Sequence, residues 1–262
     1  MNHDFVIPAY GTPLHLGRCI ESILAQKGES SRILIGTSTP SDYLSDIAAA
    51  YRLEVVPNPE RADIATDWNF VMAMSDAEFL TIAHQDDIYA PGYLAAMRGV
   101  AQDFPQMTLA FSDYGEHTDR GRRPLNLNLR IKRRLCRHAF GAAAAITSTS
   151  AKRRLLRYGN PICCPSVMFN RRRVPDFSFS RRFRTNLDWD AWLRLAEMPG
   201  AFVYLRESLV SKLVHPGSET SVTIANRTRP REDRLMFERF WPKPIAALIA
   251  AGYALGYRSN RV

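Results

Sequence analysis

The sequence predicts an α/β fold in which a central, mostly parallel sheet is flanked by helices. Three observations predict it. Short apolar runs alternate with stretches of helical period through residues 5–112, the pattern of strands that return through covering helices. Hydrophobic residues make up 46% and charged residues 23%, the balance of a chain that can bury a real core. At 262 residues, the chain suits one large domain with at most a short appendage.

The elements follow in order. Phe5 to Ala9 reads as a buried strand. Thr12-Pro13 then reads as a cap and first helical proline, with Leu16, Cys19, Ile20, Ile23 and Leu24 at helical spacing behind it. Arg32 to Thr37 is a second strand, and Ser41 caps a helix carrying Leu44, Ile47, Ala48 and Tyr51. Leu53 to Val56 is a short strand, Ile64 to Ser75 a helix, and Glu78 to Ala83 a strand. Pro91 opens a helix through Phe104, and Met107 to Ser112 is a strand. Residues 115–159 predict loops, one or two helices and a mobile flap. Ile162 to Phe169 reads as a strand and Asp188 to Met198 as a helix with Trp189 and Trp192 on partly different faces. Two closing strands, Ala201 to Leu205 and Leu209 to Val214, precede a tail of two helices split by Trp241-Pro242-Lys243-Pro244.

Charge is unevenly spread. The net charge is +9, yet Arg120 to Arg184 holds 18 Lys and Arg against one acid, Asp176. Such asymmetry points to an anionic partner or to a solvated basic face. No aromatic interleaving of a known module accompanies the charge, so nucleic acid is not expected as a partner. The start lacks a basic, then apolar, then small-residue pattern, and Cys19, Cys136, Cys163 and Cys164 form no CxxC pair. Reduced, buried thiols in a cytoplasmic protein are expected. The apolar stretch Ile245 to Tyr257 spans 13 residues, too short to cross a bilayer, which takes about 20. It reads equally as a docked helix or as one lying on a membrane surface.

G-x-G-x-x-G, G-x-x-x-x-G-K-[ST] and G-x-S-x-G are absent, so those nucleotide-binding and hydrolase modes have no support. In a parallel sheet, ligands sit beyond the carboxyl ends of the strands. The residues after Ala9, Thr37 and Ala83 therefore face one crevice. Into it comes His84-Gln85-Asp86-Asp87. Adjacent acids at the end of a buried strand are costly without a partner, and a hard divalent cation suits them. The alternative is that they cap the next helix. Asp188 and Asp190 form a second acidic pair at a helix start, where one faces a cleft or both favour the helix dipole. His215 follows a closing strand and reads as a structural residue or a ligand.

Together these stretches resemble a known family. FVIPAYGTPLHLGRCIESILAQ, Phe5 to Gln26, resembles the opening of the family 2 inverting glycosyltransferases of the GT-A fold. HQDDIYAPGYL, His84 to Leu94, resembles their metal-binding DxD region. LDWDAWLRLA, Leu187 to Ala196, resembles their C-terminal acidic motif. Pro165 to Phe169 and His215-Pro216-Gly217-Ser218 are similar to further stretches of these enzymes, so the likeness runs from Asp4 to Ser221.

The resemblance implies roles. Pro8, Ala9 and Tyr10 would line the nucleobase pocket, and Thr37, Asn69, His84 and Gln85 would also face the nucleotide. Asp86 and His215 would hold Mn²⁺ or Mg²⁺ on the donor diphosphate. Asp188 would take the proton from the acceptor hydroxyl, with Asp87, Asp190 and Trp189 in support. Two departures accompany this. Gly36-Thr37-Ser38-Thr39 stands where the family carries aspartates, and His84 replaces the first DxD acid.

The expected protein is an inverting glycosyltransferase with a nucleotide-sugar donor, a UDP-sugar first. Its acceptor is expected to be a saccharide or a lipid-linked, anionic molecule of cell-envelope polysaccharide or glycolipid assembly, met at the inner face of a membrane. The alternative is a non-catalytic GT-A domain that binds a nucleotide or a protein partner. The expected division is a GT-A domain over 1–221, with a nucleotide-sugar half (1–113) and an acceptor half (114–221), then a helical extension over 222–262.

Overall fold

A computed structural model describes residues 2–28, 30–60, 63–215 and 217–260. Pro216 lies outside them. The first strand, β1 (His3–Ala9), pairs in parallel with β2 (Arg32–Thr37) and β4 (Phe79–Ile82), and β3 (Val55–Pro57) adds in parallel to β2. Helices α1 (Leu16–Leu24), α2 (Asp42–Ala50) and α3 (Ile64–Ala73) make the connections. Ser41 caps α2, accepting from the Leu44 amide as expected.

Past α3 the sheet becomes mixed. Short β5 (Ile88–Tyr89) and α4 (Tyr93–Asp103) lead to the twelve-residue β6 (Met107–Thr118). A hairpin partner β7 (Gly121–Arg122), helix α5 (Leu127–Phe140), short β8 (Ala145–Ile146) and α6 (Thr149–Leu156) follow. Next, β9 (Val167–Asn170) inserts antiparallel between β4 and β6. The last strand, β10 (Ala201–Leu213), then pairs in parallel with β6. Strand order is β3-β2-β1-β4-β9-β6-β10-β5.

Two apolar layers cover the sheet. Leu16, Ile20 and Ile23 of α1, Leu44 of α2 and Met97 of α4 pack on one face with Phe5 and Ile7. Val6, Leu80 and Phe111 turn to the other face, against α3, α5 and α7 (Leu187–Ala196). Side chains alternate across a strand, so successive residues of β1 feed opposite layers.

Several boundaries differ from expectation. Thr12-Pro13 does not open α1. The chain turns there, with the Leu14 amide bonded to the Thr12 carbonyl, and α1 begins at Leu16. Residues 160–163 are not strand. They lead into a 3₁₀ turn at Cys164–Ser166, which leaves only β9 extended. The two closing strands are one, with bulges near Leu205 and Ser208 that read as a break in sequence. The expected flap is built into the body: Leu129, Cys136, Ala139 and Phe140 of α5 are buried. Trp189 and Trp192 are both fully buried, so neither indole faces out. All four cysteines are buried and free.

Much of the basic middle is spent on acids elsewhere in the chain. Arg133 pairs with Asp113, Arg153 with Glu197, Arg181 with Asp63 and Arg184 with Glu219. Lys152 is fully buried and donates to the carbonyls of Met198 and Gly200.

The tail forms α8 (Glu219–Ala225), α9 (Thr228–Phe237) and α10 (Lys243–Ala254). It docks on α7. Trp189 meets Phe237 edge-on at 5.1 Å and Tyr253 at 6.0 Å, and Ala246 is buried. Its outer face keeps Ile245, Leu248 and Leu255 exposed. No helix among the described residues is long and apolar enough to cross a membrane.

Candidate active site

The crevice lies where β1, β2 and β4 end. Gly11 turns the chain out of β1 with φ of +64°, a conformation that costs glycine little. Gln85 fixes this loop reciprocally: its Oε1 accepts from the Tyr10 amide at 2.8 Å and its Nε2 donates to the Tyr10 carbonyl at 3.2 Å. Pro8 is half-buried, Ala9 buried and Tyr10 61% exposed, free to meet a planar ligand. Thr37 is fully buried and its hydroxyl accepts from the Thr39 amide, so it shapes the loop from beneath. Asn69 is likewise committed, exchanging two hydrogen bonds with the backbone of Phe179.

An acid missing after β2 in sequence arrives from α3. Asp67 is buried and accepts from Ser38 Oγ at 2.8 Å and Asn58 Nδ2 at 3.0 Å. It ties the ends of β2 and β3 together beneath the crevice. Sequence reading missed it, because the residue sits in the middle of a helical pattern.

The acidic loop follows β4. Asp86 Oδ2 lies 3.3 Å from His215 Nε2, which β10 delivers from the far side. Burial works against the charge on Asp86, but the His215 hydrogen bond, with His84 and Lys212 nearby, holds its carboxyl below the usual range. His215 is raised in turn by that hydrogen bond. Asp87 behaves oppositely. Burial, then repulsion from Asp86, pushes it well up, and its Oδ1 accepts from the Leu213 amide. Burial lowers His84 to about 4, which leaves a neutral imidazole tilted at 40° against Trp68, 5.0 Å between ring centres.

Ligand atoms of His84, Asp86 and Asp87 lie within 4.8 Å of one another. His84 Nε2 and Asp87 Oδ2 are buried without a hydrogen-bond partner among the described residues. Buried polar atoms in native proteins rarely stay unpaired. Neutral imidazole, an ionised carboxylate and unspent lone pairs suit a divalent cation, so the residues present fit one.

The second acidic pair divides its work. Asp188 is half-buried, with Oδ1 accepting from the Trp189 amide at 2.7 Å and Oδ2 from Asn160 Nδ2 at 2.9 Å. Burial raises its carboxyl above the ordinary range against the pull of Arg229, Lys132 and Lys212. Asp190 points elsewhere: it is buried between Arg239 at 2.9 Å and Arg194 at 3.3 Å, locking tail to helix. Trp189 supports from below as packing. Neither Asn160 nor the three cations were visible in sequence, since they reach Asp188 from α5, α9, β10 and a loop.

The tail also sets the start of α7. The Glu232 carboxylate is buried and accepts from the amides of Arg184, Thr185 and Asn186 at 2.8–3.0 Å. Glu232→Ala leaves three amides unpaired. We expect a loss of about 3 kcal/mol in urea unfolding, and a lower turnover because Asp188 stands two residues beyond.

This fold is that of the GT-A nucleotide-diphospho-sugar transferases, and the chain is a glycosyltransferase. The sequence matches the model of Glycosyl transferase family 2 over residues 4–177, and the chain belongs to that family. Solved structures agree on the fold. S. aureus TarS 1-349 in complex with UDP-GlcNAc is 12% identical with a TM-score of 0.67, covering 99% of this chain and 73% of that one. Mannosyltransferase PcManGT from Pyrobaculum calidifontis, in complex with GDP-Man and Mn²⁺, is 13% identical with a TM-score of 0.65, covering 100% and 76%. No curated protein matches the sequence.

Proposed function

We propose that the chain moves a sugar from a nucleotide-sugar, a UDP-sugar first, to an acceptor hydroxyl with inversion at the anomeric carbon. One observation carries the reading. The Asp86–His215 pair at 3.3 Å and the doubly held Asp188 both lie within the electrostatic reach of Lys212. A charge-holding pair and the proposed base thus lie about the same cation. Proteins of similar fold solved in complex with UDP-GlcNAc and with GDP-Man and Mn²⁺ support a donor of this class.

Asp86 and His215, with His84 in reach, would hold Mn²⁺ or Mg²⁺. Such an ion supplies Lewis-acid stabilisation of the departing diphosphate. The chain's residues do the rest. Pro8, Ala9 and Tyr10 seat the base, and Gln85 keeps Tyr10 in place. Asp188 accepts the proton of the acceptor hydroxyl while that oxygen bonds to the anomeric carbon. The bond from that carbon to the diphosphate oxygen breaks, and the nucleoside diphosphate leaves. Attack opposite the leaving group inverts configuration.

The division into a nucleotide half (1–113), an acceptor half (114–221) and an extension (222–262) belongs to the same reading. So does an acceptor in cell-envelope polysaccharide or glycolipid assembly, met at a membrane's inner face. Exposed Leu127 and Ile131 beside Arg130 and Arg134 on α5, and Leu248 on α10, support it. Co-sedimentation with anionic vesicles at low salt tests that part.

The reading itself is tested by a panel of nucleotide-sugars with and without Mn²⁺. We expect one donor at a hundred times its Kd to raise Tm by roughly 5–10 °C only with metal, and to be turned over. Binding of a donor without any turnover would instead favour a non-catalytic domain. The pH profile is a second check. Asp188 works only when ionised, so kcat/KM should fall as pH drops through its raised value. That acidic limb should lie above the usual carboxylate range.

A further inference from the structure

A second cavity opens near Asp188: Tyr253 on its wall hydrogen-bonds the Asn160 backbone, and the Asn160 side chain holds Asp188. The cavity measures about 60 Å³ and carries Lys132, Lys212 and Arg229 on its wall, with Tyr114, Tyr253 and Tyr257 around them. A water needs roughly 10–15 Å³ of such volume, so the space suits a few waters or one small anionic group. Its elements are α5, β6, β10 and the tail, and no lining residue precedes Tyr114.

The cations make few direct contacts with acids, although Asp188 and Asp233 lie within their electrostatic reach. Lys132 Nζ donates to Tyr114 OH at 2.9 Å, a neutral group. Burial lowers its ammonium to about 8, so most of it is charged at neutral pH. No ion pair of Lys212 or Arg229 within 4 Å is found among the described residues. The acid on the wall, Glu116, is held by Arg123 and Asn126. Asp233, near Arg229, is held by Asn186 and Tyr257. Three positive groups thus converge on a cavity whose one lining carboxylate, Glu116, is already held, an arrangement that favours an anion between them.

We infer that this cavity is an acceptor subsite for a phosphate monoester or diester, placed next to the hydroxyl that Asp188 deprotonates. The side of the cleft argues for acceptor over donor. Lys132 and Arg229 act on Asp188, Lys212 acts on both Asp188 and Asp86, and no wall comes from the half that carries the nucleotide crevice. The placement as acceptor rests on Asp188 being the base; the anion site itself does not. The tail thereby acquires a role, since Arg229, Tyr253 and Tyr257 complete the pocket.

Calorimetry with glycerol 3-phosphate, and glycerol as the uncharged control, tests this on protein saturated with UDP and Mg²⁺. We expect the phosphate to bind and glycerol not to. Lys132→Gln with Arg229→Gln should weaken phosphate binding roughly 10–100-fold, with UDP binding unchanged as the check on folding. Lys132→Arg should stay within a few-fold of the parent. Asp188→Asn should bind the phosphate at least as well, so a failed base assignment shows in activity and not here. Competition by phosphatidylglycerol vesicles, absent with phosphatidylcholine, marks a lipid-borne phosphate. Absence of competition marks a soluble polyol phosphate, and either supports the pocket. No phosphate binding, binding indifferent to the double variant, or displacement of UDP would overturn the inference.

Discussion

Asp188→Asn should lower kcat by about 10³-fold or more, with UDP affinity little changed. A positioned general base contributes roughly 10²–10⁴-fold, and the variant removes the proton acceptor without removing volume. Its place in the fold makes the expectation sharp. Asp188 opens α7, which is pinned by Glu232 from the tail and by Asp190 between Arg194 and Arg239. The carboxylate therefore cannot swing far, and no second acid can replace it, because Asp190 is buried in its own ion pairs. Asparagine can still accept from the Trp189 amide. Its amide nitrogen would face the Asn160 donor, so Asn160 must turn and release the Ile162 amide. Asn160→Ala is the graded companion: the base survives but loses its orientation, and kcat should fall about 10-fold. Transfer assays beside UDP calorimetry separate the cases. Undiminished transfer by Asp188→Asn would remove the base assignment.

What could be read from sequence had a local cause. β1, β2 and β4 are apolar runs bounded by turn residues, and Ser41 caps α2 within three residues of its partner. The acidic loop was legible because two acids after a buried strand demand an explanation. What escaped is long-range. Asn160 meets Asp188 across 28 residues, and Glu232 caps α7 across more than 45. No period or spacing signals either. Lys132 and Arg229 look like ordinary surface charges of helical segments until α5 and α9 bring them to one cavity. The crevice residues Thr37 and Asn69 illustrate the reverse case. Sequence puts them beside the crevice, yet their polar groups are used by Thr39 and Phe179.

The two acids of the loop should respond oppositely to loss of charge. Asp86→Asn removes the carboxylate that the surroundings keep ionised. We expect metal-dependent donor binding to weaken by 10²-fold or more and turnover to fall with it, because a ligand and its charge go together. His215 should then titrate lower, since the hydrogen bond it donates to Asp86 is the first cause of its raised value. Asp87→Asn is expected to be mild. Burial and Asp86 already push that group toward its neutral form, and an amide oxygen can still accept from Leu213. Calorimetry of Mn²⁺ with UDP on both variants, with histidine titration by NMR, checks the contrast. If Asp87→Asn abolished metal binding while Asp86→Asn kept it, the ligand would be Asp87, and the His215 contact would be an ion pair of the fold alone.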